Sequence, residues 1–130
     1  MSNLNKGNII FLKYGTFKNN PGKFLIDTKH MFLITAYVTD GIDAGYLVSP
    51  VSSNLRQVRD SRPLNIPISK TDESGLRKDS YVNASWYGLI SEDDVHKVVG
   101  SISEDELDNI QIALDSYDTD LELEDYNYED

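Results

Sequence analysis

The chain has 130 residues, no cysteine and a formal net charge of −10. That length suits one domain with a single core, and the absence of cysteine excludes disulfides and thiolate metal sites while permitting a reducing compartment. No run of about 18 apolar residues occurs and the N-terminus lacks a secretory apolar segment, which predicts an untargeted cytoplasmic protein with no membrane partner.

The charge is unevenly divided. From Glu104 onward there are twelve carboxylates and no Lys or Arg, whereas the preceding residues hold ten acids and all twelve bases. A mildly basic body therefore carries an acidic end. Such blocks usually stay solvated, but Tyr117, Leu121, Leu123, Tyr126 and Tyr128 give this one apolar groups with which to dock. The division expected is a single domain over residues 1–115 and an acidic, flexible tail over 116–130.

In chain order, residues 8–14 (NIIFLKY) are rich in strand formers and stop at Gly15, which predicts the first strand. Residues 16–29 contain Asn-Asn-Pro-Gly and the bases Lys18, Lys23 and Lys29, the composition of an exposed loop, with 24–26 as a short extended piece. Residues 31–38 (MFLITAYV) form a near-continuous β-branched apolar run, the central strand, turned by Asp40-Gly41. Residues 45–51 (GYLVSPV) follow as its antiparallel neighbour, with Pro50 expected at an edge or bend. Residues 52–63 are polar, carry Arg56, Arg59 and Arg62, and read as a loop.

Residues 64–69 and 80–84 read as short strands joined by a polar hairpin-like connection, 86–90 as a continuation of the sheet, and 95–100 as a last short strand. Ser103-Glu104-Asp105-Glu106 is a capping box that starts a helix, and Leu107, Ile110, Leu114 and Tyr117 recur along one face of it. The helix is expected to end near Ser116. The fold class is mainly β with a C-terminal helix, the strands closing as a small barrel or rolled sheet.

The catalytic inventory is short. Two histidines without cysteine leave a zinc site short of ligands, and no phosphate loop, Rossmann fingerprint or nucleophile elbow occurs, so no metal and no cofactor is expected. Polar groups gather at the strand ends: Lys29 and His30 before the second strand, then Ser52, Ser53 and Asn54 after the third, followed by Arg56 and Arg59. A cation beside a hydroxyl and an imidazole could hold an RNA phosphate, stabilise its developing charge and move a 2′-hydroxyl proton.

The order of these pieces resembles the PemK/MazF family of toxin ribonucleases. Lys6-Gly7-Asn8-Ile9-Ile10-Phe11 is similar to that family's opening strand, and His30-Met31-Phe32-Leu33-Ile34 falls where it has Arg-Pro before an apolar strand. Leu47 to Ser53 resembles its apolar strand ending in Thr/Ser, Gly75 to Val82 its strand running to Asp-Ser-x-Val, and Val99 to Leu107 the entry to its terminal helix. The resemblance spans roughly residues 6 to 114 and implies an SH3-like barrel that dimerises and cleaves single-stranded RNA without metal. It implies His30 or Lys29, and Ser52, as catalytic positions, with Lys18, Lys23, Ser53, Arg56 and Arg59 as RNA-binding groups. This chain departs from the family at His30 and Met31, because histidine lacks the fixed bidentate fork of the family's arginine.

Antitoxins of this family are typically acidic segments lying over the toxin's RNA groove. The tail, through Tyr117, Asp118, Asp120, Glu122, Glu124, Asp125, Tyr126 and Tyr128, is therefore expected to fold back, or to reach across a dimer, onto the Lys29/Arg56/Arg59 surface and compete with RNA. The alternative is an inactive scaffold whose acidic face mimics nucleic acid and binds a basic protein.

Overall fold

The computed structural model describes residues 4–13, 16, 30–39, 44–53, 65–84 and 87–115. Among these residues seven strands form one sheet: β1 (Asn8–Leu12), β2 (Met31–Thr39), β3 (Ala44–Ser52), β4 (Asn65–Ile68), β5 (Ser80–Asn83), β6 (Gly88–Ile90) and β7 (Val95–Ser101). Residues 104–115 are helical and are labelled α1. The strand order is β4-β5-β3-β2-β1-β7, with β6 pairing beside β3. Every pairing is antiparallel.

Strand alternation divides the apolar side chains between the two faces. On one face Ile9, Leu33, Val51, Ile68, Leu76 and Val82 pack with Ile110 of α1, joined by Leu114. On the other, Ile10, Leu12, Phe32, Ile34, Tyr46, Val48 and Ile90 form a second cluster. The continuous apolar run of β2 follows from this arrangement: Phe32, Leu33 and Ile34 are all fully buried because both faces of the strand are covered. Each such side chain contributes roughly 1.5–3 kcal/mol relative to exposure.

The capping box forms as the sequence predicts. The Glu106 N–H donates to Ser103 Oγ at 3.2 Å, and Glu106 Oε1 accepts from the Ser103 N–H at 3.2 Å. Glu106 Oε2 accepts a further bond from the Ser69 N–H at 2.6 Å, so one carboxylate starts the helix and ties it to the end of β4. Farther along, Gln111 Nε2 donates to the Thr35 carbonyl at 2.6 Å, beside the β2 irregularity between Ile34 and Ala36. A bulge frees a carbonyl from the ladder, and here a helix side chain satisfies it.

Several details differ from the expectations. β1 stops at Leu12, and the Lys13 N–H donates to the Asp94 carbonyl at 2.9 Å instead of continuing the strand. Pro50 lies in a central strand, between the stretch of β3 paired with β6 and the stretch paired with β5, where its missing N–H interrupts neither pairing. Ser52 belongs to β3 and not to a loop. Residues Glu92–Asp94 form a 3-10 turn with its own capping box from Ser91. The loops expected at 16–29 and 52–63 lie outside the described residues, apart from Thr16, Ser52 and Ser53, as does the tail.

The sheet is rolled but not closed into a barrel by strand pairing, since β4 and β7 end the path without meeting. The β4–β5 turn crosses the gap instead: the Ser101 N–H donates to the Glu73 carbonyl at 2.7 Å. Gly75 holds φ +70° against the Val99 carbonyl, a left-handed conformation at a close backbone approach that glycine permits. Ser74, fully buried, knots the turn by accepting from the N–H groups of Thr71 at 3.0 Å and Leu76 at 3.2 Å.

Candidate functional site

The β4–β5 turn, packed against β7, leaves a cleft of about 610 Å3 over the face that also carries α1. Its position follows from register. Lys97 pairs with Phe11, Phe11 with Met31, and Met31 with Val51, so these four side chains form one row across β7, β1, β2 and β3. Phe11, Met31, Val99 and Leu76 supply the apolar floor, Ser53 and Ser80 two hydroxyls, and Arg77, Lys78 and Lys97 the charge.

Among the described residues no carboxylate lines this cleft. Asp79, next to Lys78, is turned to the base of the hairpin, where its Oδ1 accepts from the Lys70 N–H at 2.8 Å. Arg77, Lys78 and Lys97 are exposed, and none forms an ion pair with a described residue. Three cations above an apolar floor attract an anion with planar apolar parts. The Ser80 hydroxyl donates to the Lys78 carbonyl at 2.9 Å, which leaves its lone pairs available as acceptors.

His30 and Ser52 stand together at the end of the β2–β3 pair. Met31 pairs with Val51, and His30 and Ser52 are each the next residue outward. Alternation puts them on the opposite face from Met31 and the cleft. The His30 ring meets Phe32 of the second cluster, with centroids 5.4 Å apart and the planes tilted by 45°. Ser52 is half-buried and pairs with Tyr81, while Ser53, one residue on, lines the cleft. The described structure thus brings His30 beside Ser52 at a strand end and separates both, by the thickness of the sheet, from the cationic cleft.

The remaining sequence-derived candidates, Lys18, Lys23, Lys29, Arg56, Arg59 and Tyr117 to Tyr128, lie outside the described residues. The cations Arg77, Lys78 and Lys97 were not singled out from the sequence, because Arg77-Lys78 sits in what reads as an ordinary polar hairpin and Lys97 in a weakly alternating strand. The legible signal was Gly75, two residues before adjacent bases, in a turn that must approach another strand. Among the described residues no three His, Cys, Asp or Glu side chains gather as a metal site requires, and no helix is long and apolar enough to cross a membrane.

No curated protein matches the chain in sequence. The solved structure of an endoribonuclease from a mycobacterial species is similar in fold, with a TM-score of 0.58 at 16% identity, covering 90% of this chain and 92% of that one. A sequence profile of the PemK-like, MazF-like toxins of type II toxin–antitoxin systems matches residues 35–117. That match takes in β3 to β7, most of β2 and α1, more than half of the chain, and the protein belongs to this toxin family.

Proposed function

We propose that the protein is a toxin-type endoribonuclease that cleaves single-stranded RNA without a metal. The observation that carries this reading is the cleft lined by Arg77, Lys78 and Lys97 with no carboxylate among its described lining residues, in a member of a toxin family. RNA phosphates would lie along the three cations, with an unpaired base on Phe11 and Met31, because a base has an apolar face that stacks without regard to sequence. The strand would then pass round the end of the β2–β3 pair to His30 and Ser52.

There the substrate's own 2′-hydroxyl is the nucleophile. It attacks the adjacent phosphorus and loses its proton to His30 or Lys29, while the bond to the 5′-oxygen breaks and that oxygen takes a proton from solvent water to leave as a hydroxyl. Ser52 orients the phosphate by hydrogen bonding, and the products are a 2′,3′-cyclic phosphate and a free 5′-hydroxyl. The reading extends to an acidic antitoxin, a cytoplasmic location and a homodimer. Self-association is supported by Tyr37, Tyr87 and Leu89, each more than half exposed on β2 and β6 or beside it.

The test is cleavage of a long single-stranded RNA in the presence of a chelator, by the wild-type chain and by a His30→Ala/Ser52→Ala double variant. Cleavage ending in cyclic phosphate that the double variant lacks supports the reading. If neither protein cuts nor binds RNA, the ribonuclease reading fails, and a basic protein partner for the acidic end becomes the better account.

A further inference from the structure

We infer that the C-terminal segment, residues 116–130, is an internal competitor that occupies the Arg77/Lys78/Lys97 cleft. As regulation of RNA access the inference rests on the function proposed above; as a contact it stands alone. It names a different surface from the Lys29/Arg56/Arg59 one expected from the sequence, whose residues lie outside those described.

Charge is the first argument. Among the described residues the cleft's lining contains three bases and no acid, and the segment contains carboxylates and no base. Patterning is the second. In the stretch DTDLELE, Asp118, Asp120, Glu122 and Glu124 alternate with Thr119, Leu121 and Leu123. An extended chain sends alternate side chains to opposite sides, so this stretch presents carboxylates along one side and leucines along the other. The cleft offers the matching pair of surfaces, a cationic rim and a floor of Phe11, Met31, Leu76 and Val99.

Position is the third. Leu114, in the last turn described, packs on the cluster that contains Leu76, and Leu76 also lines the cleft. The last described turn of α1 therefore lies on the face on which the cleft opens. Fifteen residues extend to about 50 Å, more than the roughly 30 Å across a small domain. A short tether gives an effective concentration of order millimolar, so an intrinsic dissociation constant near 0.1 mM suffices to reduce the affinity of a competing ligand about 10-fold.

The chain has no cysteine, so Asn127→Cys provides a unique site for a spin label in the otherwise full-length protein. The expected result is paramagnetic broadening of amides at 75–78 and 97–99 that disappears in about 0.5 M salt, where screening acts within a few ångströms. It should also disappear in Asp120→Asn/Glu122→Gln/Glu124→Gln. Uniform broadening overturns the contact. Broadening found only between differently labelled chains places the segment in a neighbouring copy and overturns the intramolecular form.

Affinity for an unstructured RNA oligonucleotide should rise about 10-fold in the triple variant and much less in Glu104→Gln/Asp105→Asn/Asp108→Asn, which changes net charge equally without touching the segment. Equal gains in the two variants overturn competition. Localised broadening with no RNA binding by any variant upholds the contact and removes the ribonuclease reading instead.

Discussion

The Ser101 N–H donates to the Glu73 carbonyl at 2.7 Å, and this bond joins the last strand of the sheet to the turn between β4 and β5. The neighbouring Gly100 lies so close to the backbone of Glu73 and Ser74 that any β-carbon there would overlap it. Gly100→Ala should therefore lower stability by about 1–3 kcal/mol, the usual range for overpacking against backbone. Urea unfolding measures the loss, and unchanged stability would show that the turn does not bridge the roll. Because the same turn carries Arg77 and Lys78, the variant should also weaken anion binding.

A second expectation concerns Glu106. Removing the Ser103 hydroxyl with Ser103→Ala should cost about 1 kcal/mol, as loss of an N-cap does. Glu106→Ala should cost more, because it also strands the Ser69 N–H that its other oxygen accepts. A double-mutant cycle on the two positions separates the cap from the tie to β4, and equal losses in the two single variants would contradict the tie.

Ser49 is fully buried opposite Leu33 on the face covered by α1, and its hydroxyl has no hydrogen-bond partner among the described residues. An unsatisfied buried hydroxyl costs about 1–3 kcal/mol. Ser49→Ala should accordingly raise the thermal midpoint or leave it unchanged, in contrast to most core truncations. A clear drop would reveal a partner for the hydroxyl in solution.

If Arg77, Lys78 and Lys97 each neutralise an RNA phosphate, replacing any one by Gln should reduce the slope of log affinity against log salt by about 0.7. Binding should weaken for all sequences alike, since phosphate contacts carry no base information. Titrations at several salt concentrations provide the measurement. A slope unaffected in all three variants would move the RNA path away from the cleft.

The capping box at Ser103 and the strands around residues 31–38 and 45–51 are legible in the sequence because local chemistry decides them: a hydroxyl three residues before a carboxylate, and long β-branched apolar runs. The resemblance to the toxin family is also carried by residue order along the chain. Pro50 shows the limit of such reading. A proline implies an edge, yet here it fills a gap between two partners of a central strand, and only the pairing of β5 and β6 with β3 creates that gap.

By itself, then, the sequence determined the element types, the acidic end and the family, since each depends on neighbouring residues or on their order. The tertiary structure decided which side chains share a face. It set Lys97 in one row with Phe11 and Met31, brought Arg77 and Lys78 over that row, and put His30 and Ser52 on the opposite face. The physical reason is that alternation has a period of two, so one residue of register decides the face, and register is set by hydrogen bonds between strands far apart in the chain.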